Sequence, residues 1–215
     1  MTIRLYSYWR SSAAYRVRIA LNLKQLEYET EAVSLAPGVA KHQSAAYREK
    51  NPQMLVPFLE DGNVAIGQSM AMLEYLEEAY PAVSLLPAAE PLRSQVRAFC
   101  QAIACDIHPI LNLRVLQYIR NEFDQDPMVD WYAHWIHEGF KALETLASEK
   151  PYAEGPYVFG DSVTLADCLL VPQMYNARRF EVVLDDYPKL VSAVENCNAL
   201  DAFRKAAPEN QPDAE

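Results

Sequence analysis

No cysteine occurs in the first 99 residues of this 215-residue chain, and the four that follow, Cys100, Cys105, Cys168 and Cys197, are scattered. Their spacing offers neither a disulfide framework nor a tetrahedral metal set. Positive charge is scarce too: 19 Lys and Arg stand against 29 Asp and Glu, a net charge of −10. That balance argues against nucleic acid and anionic membrane surfaces as partners. No stretch reaches the roughly 20 apolar residues that a membrane span requires. The opening Met1-Thr2-Ile3-Arg4-Leu5 has no apolar signal region. A cytoplasmic, reducing setting is expected. Internal repeats and low-complexity tracts are absent as well. What is left, 51% hydrophobic and 22% charged, is ordinary globular composition. Against a negative mean field, an anionic ligand must be captured by arginines placed locally, which makes each arginine informative.

The apolar pattern changes part-way along the chain. "IRLYSY" (residues 3–8) alternates apolar and polar positions and reads as a strand. "SAAYRVRIALNL" (12–23) puts Ala13, Val17, Ala20 and Leu21 on one helical face. "LEYETEAVSL" reads as a second strand, and "VPFLEDGNVAIG" as a hairpin around Asp61-Gly62-Asn63. Gln68-Ser69 opens a helix whose inner face is Met70, Leu73 and Leu76. With a weakly signalled helix near Ala45–Tyr47, the order is β-α-β-α-β-β-α, that of a thioredoxin-like domain over residues 1–80. "YPAVSLLPAAEP" holds three prolines and marks a linker at 81–91. Strand signals stop there. Helical patterns over Pro91–Glu122, Met128–Glu149, Thr164–Tyr175 and Tyr187–Ala206 predict an all-helical domain over 92–215. Thr164 and Asp167 form a capping-box pair at one helix start, and the polar "APENQPDAE" predicts a frayed tail.

A thioredoxin-like half without cysteine cannot run dithiol chemistry, so any sulfur nucleophile must be borrowed. "WRSSAAYR" lies where the first strand gives way to the first helix. A helix start lowers a thiol's pKa through its dipole and unpaired N–H groups, and a serine hydroxyl donating to sulfur adds to that. On capping preference alone, Ser11 and Ser12 read as plain N-caps. Metal chemistry has little support: Cys105 with His108, and His134 with His137, each lack a third ligand nearby.

Several segments together resemble one family: "YWRSSAAYRVRIALNLK", "NPQMLVPFLEDG", "GQSMAMLEYLEEAYP", "ACDIHPILNLRVL", "GDSVTLADCLLVPQMYNARRF" and "LDAFRKAAPENQPD". In order and spacing they look like the zeta class of cytosolic glutathione transferases, and within it the bacterial isomerases of maleylacetoacetate or maleylpyruvate. The resemblance runs from about residue 3 to 213. One departure is Ala13, where the motif commonly carries cysteine.

The resemblance implies glutathione as cofactor and a homodimer. It places the thiolate-contacting serine at Ser11, with Ser12 as cap or second contact. It implies a cis Val56–Pro57 bond with Val56 pairing to the cysteinyl unit, and Gln68-Ser69 receiving the γ-glutamyl carboxylate. His42 would approach the glycyl carboxylate. Asp106, from a neighbouring subunit, and His108 would contact the γ-glutamyl end. Each also has a plainer reading: a cap for Gln68-Ser69, a solvated loop residue for His42, a helix-face charge for Asp106. A small dicarboxylate substrate would be held by Arg10, Arg114 and Arg179, since guanidinium groups bind carboxylates bidentately. Taken singly, each could equally be a solvated surface charge. The implied reaction is cis–trans isomerisation of maleylacetoacetate by thiolate addition, bond rotation and elimination. Maleylpyruvate isomerisation, or conjugation and dehalogenation of small electrophiles, stays open. Leu113 stands where maleylpyruvate-type relatives can carry a further arginine, which tilts the reading toward maleylacetoacetate.

Overall fold

The computed structural model describes residues 2–123, 127–149 and 153–215. The chain divides into two compact units: residues 1–85 with 199–215, and residues 86–198.

The first unit is built on a four-stranded sheet: β1 (Ile3–Ser7), β2 (Tyr28–Ala32), β3 (Phe58–Asp61) and β4 (Val64–Gly67), in the order β2-β1-β3-β4. β1 runs parallel to β2, with Leu5 opposite Thr30, and antiparallel to β3, with Leu5 opposite Leu59. A parallel pair needs a crossover, which α1 (Ser12–Leu23) supplies. The β3–β4 hairpin turns at Gly62, whose φ of +58° suits the residue that lacks a Cβ. α2 (Ala45–Lys50) and α3 (Ser69–Ala79) complete the expected order. α2 was weakly signalled because it is six residues long and buries only Tyr47, its start fixed by the Ser44 cap.

The expected alternation in β1 holds only at its start. Arg4 is exposed, but Leu5, Tyr6 and Ser7 are all buried. Tyr6 packs with Tyr47 and Phe58 on one face, in a cluster that includes Tyr8, Trp9 and Val56.

The C-terminal boundary and the frayed tail are both corrected. Residues 199–215 belong with the first unit. α9 (Asp201–Ala206) packs on α1, where the Asn22 side chain donates to the Ala202 carbonyl at 2.9 Å and Arg18 Nε to the Ala206 carbonyl at 3.0 Å. The tail beyond it is tied down rather than frayed. Buried Gln211 donates to the carbonyls of Lys205 and Ala207, and Asp213 accepts from the Trp9 N–H at 3.1 Å. Polar composition suggested solvation, but these polar groups are satisfied by backbone instead.

In the second unit the described residues contain no strand. The expected helix over Pro91–Glu122 is interrupted: α4 (Glu90–Gln101) passes into a π-helical turn (Ala102–Ile107), a 3-10 turn (His108–Leu111) and then α5 (Leu113–Glu122). Pro109 cannot donate to a continuing helix, and the Asn112 side chain restarts one by accepting from the Val115 N–H. α6 (Met128–Ser148) presses against the π turn at Gly139. A Cβ there would collide with the Ile107 side chain, so glycine permits the approach. The Trp131 indole donates to the Ile110 carbonyl and fixes the same segment.

α7 (Leu165–Arg179) is almost wholly buried, and its start is the predicted capping box. The region expected to be one helix over Tyr187–Ala206 is two, α8 (Pro188–Asn198) and α9, broken at Ala199–Leu200. Among the described residues, no helix is long and apolar enough to cross a membrane.

Candidate active site

The residues expected to hold glutathione in the first unit lie at two helix starts, in the loop before β3 and, for His42, in a 3-10 turn. Ser11 is the N-cap of α1: its Oγ accepts from the Ala14 N–H at 3.2 Å, while its own N–H donates to the Tyr8 carbonyl. The capping role offered to Ser12 therefore falls to Ser11, and Ser12 is the buried first residue of the helix. Accepting from Ala14 orients the Ser11 oxygen and leaves its hydroxyl proton as a donor. No acidic residue occupies the first turn of α1, so the helix supplies no carboxylate of its own to its positive end. Arg10 stacks 4.7 Å above the Trp9 ring and reaches the Tyr8 hydroxyl at 3.4 Å, which holds its charge beside the serine pair.

The second helix start is that of α3. Gln68 precedes it at φ +68° and ψ +113°, a conformation costly for a residue with a Cβ. Its side-chain amide donates to Gln53 Oε1 at 2.9 Å rather than capping the helix. The first-turn N–H groups of α3 thus have no side-chain cap and suit a carboxylate. Beneath them, the buried Arg16 of α1 donates to Ser69 Oγ at 3.2 Å, which links the two helix starts and brings a cation under the second.

The Val56–Pro57 peptide is cis, as expected, and Val56 is buried. No backbone hydrogen bond to Val56 is made by the described residues outside helices and strands. The loop before it is held from behind, where the Leu55 carbonyl accepts from the Tyr47 hydroxyl and the Asn51 amide. His42 lies in a 3-10 turn (Lys41–Gln43), half-buried, its Nδ1 3.3 Å from the Ser34 carbonyl and its Nε2 3.4 Å from the Gln43 amide. A ligand carboxylate would have to displace the Gln43 contact.

The remaining predicted residues belong to the second unit. Exposed Asp106 and half-buried His108 sit on the π and 3-10 turns. Departures from α-helical hydrogen bonding of this kind recur at functional sites. Arg114, in the first turn of α5, is exposed. Arg179 ends α7, exposed, with its guanidinium 5.1 Å from the centre of the Phe180 ring. Phe180 stacks on buried Tyr132 at 3.9 Å, and burial raises the Tyr132 hydroxyl well above its ordinary value. All four cysteines also lie in this unit, three of them buried. Burial pushes the Cys197 thiol far up, and the carboxyl of Asp167 beside it adds to the effect.

Residues 5–84 match the model of the glutathione S-transferase N-terminal domain, and residues 113–201 that of the C-terminal domain. The chain belongs to the glutathione S-transferase family. It is similar to a probable maleylacetoacetate isomerase of Vibrio cholerae, 47% identical over 100% of this chain and 99% of that one. It is also similar to a maleyl pyruvate isomerase described as a bacterial glutathione S-transferase in the zeta class. Their structures agree with a TM-score of 0.94 at 48% identity, covering 99% of this chain and 100% of the other. A maleylacetoacetate isomerase of Anaeromyxobacter dehalogenans, solved with dicarboxyethyl glutathione and citrate in its active site, matches with a TM-score of 0.86 at 42% identity, over 100% and 94% of the two chains. The zeta-class resemblance, expected from segments spread over residues 3–213, holds.

Sequence reasoning missed Arg16, Gln53 and Asn51 as supports of this site. For Arg16 the available signal was an arginine amid the apolar residues of α1. Gln53 and Asn51 gave none, since their partners are set by the loop's path.

Proposed function

We propose that this glutathione S-transferase is a glutathione-dependent cis–trans isomerase acting on maleylacetoacetate to give fumarylacetoacetate. The observation that carries the reading is a helix start shaped for a thiolate within a unit that has no thiol of its own. Glutathione supplies that sulfur.

The chain's part is electrostatic. Ser11 donates its hydroxyl proton to the sulfur and favours the charged form, helped by the α1 dipole. Ser12, buried beside it, lines the same helix start. Gln68 and Ser69 take the γ-glutamyl carboxylate at the uncapped start of α3, and His42 the glycyl carboxylate. The γ-glutamyl contacts that the resemblance implies for Asp106, from a neighbouring subunit, and for His108 belong to the same proposal. Val56 pairs through its backbone with the cysteinyl unit. Arg10 neutralises the charge that develops on the substrate's carbonyl oxygen while the double bond is lost and remade. Arg114 and Arg179 grip carboxylates, a task suited to guanidinium on a chain of net charge −10. The homodimer and the cytoplasmic setting belong to the same proposal.

Maleylpyruvate is the second reading, favoured by the similarity to a maleyl pyruvate isomerase. Side-by-side rates on maleylacetoacetate, maleylpyruvate and a neutral conjugation substrate separate these readings. The expected result is fastest turnover of maleylacetoacetate and none without added glutathione. Equal rates with and without glutathione would sink the sulfur mechanism, and a faster rate on maleylpyruvate would reassign the substrate.

The strain at Gln68 gives a further prediction. Glycine relieves a positive φ worth about 1–3 kcal/mol and gives back roughly 0.5–1 kcal/mol in backbone entropy. The Gln68→Gly variant should therefore melt about 2–4 °C higher, near 1 kcal/mol of net gain, while its KM for glutathione rises several-fold. Calorimetry and glutathione titration read the two effects separately.

A further inference from the structure

The strip between β1 and α1 is gripped from both sides by residues far from the sulfur. Arg18, buried two turns into α1, donates to Ser7 Oγ at 3.0 Å, to the Tyr8 carbonyl at 3.4 Å and to the Trp9 carbonyl at 2.9 Å. Its Nε donates to the Ala206 carbonyl in α9. From the opposite end of the chain, Asp213 accepts from the Trp9 N–H at 3.1 Å. The N–H and the carbonyl of Trp9 are thus both occupied, one by the tail and one by a buried guanidinium. The next two residues are Arg10 and Ser11, and the Tyr8 carbonyl that takes Arg18 also takes the Ser11 N–H.

Burial lowers the Arg18 pKa to about 10, so the guanidinium stays charged at neutral pH. Holding a cation out of water is costly unless its donors are used. Here they fasten three consecutive residues. The tail is itself anchored, because Gln211 ties it to the end of α9.

Resting on the proposed role of Ser11, we infer that Arg18 and Asp213 are positioning residues for the sulfur site: Asp213 of the C-terminal segment fixes the Tyr8–Trp9 peptide through its N–H, Arg18 fixes the Trp9–Arg10 peptide through its carbonyl, and together they set the aim of the Ser11 hydroxyl and the Arg10 guanidinium. Displacement of a catalytic group by about 1 Å can cost as much as 100-fold in rate, which is enough for a contact at one remove to matter.

The test uses the full chain with glutathione alone and then with substrate. The ultraviolet absorbance of the bound thiolate is followed against pH, alongside turnover and a thermal melt. In Asp213→Ala, the pH midpoint for thiolate formation should rise by about one unit and kcat should fall about tenfold, while the melt falls by only about 2–4 °C for the one N–H left without its acceptor. Asp213→Asn keeps an oxygen that accepts from Trp9, and should restore most of both. Asp213→Ser, too short to reach the amide but still polar, repeats the test should the alanine variant melt early.

An Asp213→Ala protein with the wild-type midpoint and kcat overturns the positioning role while leaving the sulfur reading intact. Equal losses in the alanine and asparagine variants overturn the hydrogen-bond argument. A wild-type protein that shows no bound thiolate below the pH at which free glutathione ionises overturns both.

Discussion

Replacing Ser11 with alanine is expected to lower kcat/KM for glutathione-dependent isomerisation by about 100-fold. A hydrogen bond to a charged partner is worth about 1.5–3 kcal/mol, and each 1.4 kcal/mol is a factor of ten. The same change removes the α1 N-cap, at a cost of about 0.5–2 kcal/mol of stability, because Ser11 Oγ accepts from the Ala14 N–H. The two effects can be separated. Glycine at an N-cap costs only a few tenths of a kcal/mol relative to serine, so Ser11→Gly should keep a near wild-type melting temperature. If the missing hydroxyl is what matters to the chemistry, the glycine variant is as slow as the alanine variant. Recovery of rate in the glycine variant would mean that the loss came through the helix, and would move the thiolate contact to Ser12 or a backbone N–H.

The largest stability effect is expected at Asp167. Its side chain accepts from the Val158 N–H at 3.0 Å, the Thr164 N–H at 2.8 Å and the Thr164 hydroxyl at 3.1 Å, and it is fully buried. Burial pushes its carboxyl up from the usual range, while these donors pull the other way. Truncation to alanine strands two buried backbone donors, at about 1–3 kcal/mol each. It also dissolves the capping box at the start of α7. A total of about 3–5 kcal/mol, or roughly 10 °C in melting temperature, is expected for Asp167→Ala. Asp167→Asn should fall between, since it keeps one acceptor and turns an amide NH2 toward donors. Scanning calorimetry of both variants checks the order, and an alanine variant that melts with the wild type would refute it.

Features whose cause lies within a few residues were legible in the sequence. Asp61-Gly62-Asn63 announces a hairpin through turn chemistry, and Ser11, Gln68 and Thr164 each stand at or one residue before a helix start. The interruption after α4 was not legible, because its shape depends on Gly139 meeting Ile107 across 32 positions of sequence. Arg16 and Arg18 stand out only as arginines amid the apolar residues of α1, and their partners, Ser69 and the carbonyls of Tyr8, Trp9 and Ala206, are set by the tertiary fold. The tail misled most. Its prolines and acids have the composition of a solvated end, and nothing local reveals that Asp213 meets a backbone N–H 204 positions away.

The bond between Arg18 and the Ala206 carbonyl joins residues 188 positions apart, and translation makes them in a fixed order. At roughly 5–20 residues per second, Arg18 is added to the chain about 10–40 s before its partner exists. Through that interval the nascent N-terminal unit lacks α9, and a buried guanidinium has one acceptor too few. The unit made first is finished last, so a ribosome that stalls within the helical half leaves the thioredoxin-like half unsealed.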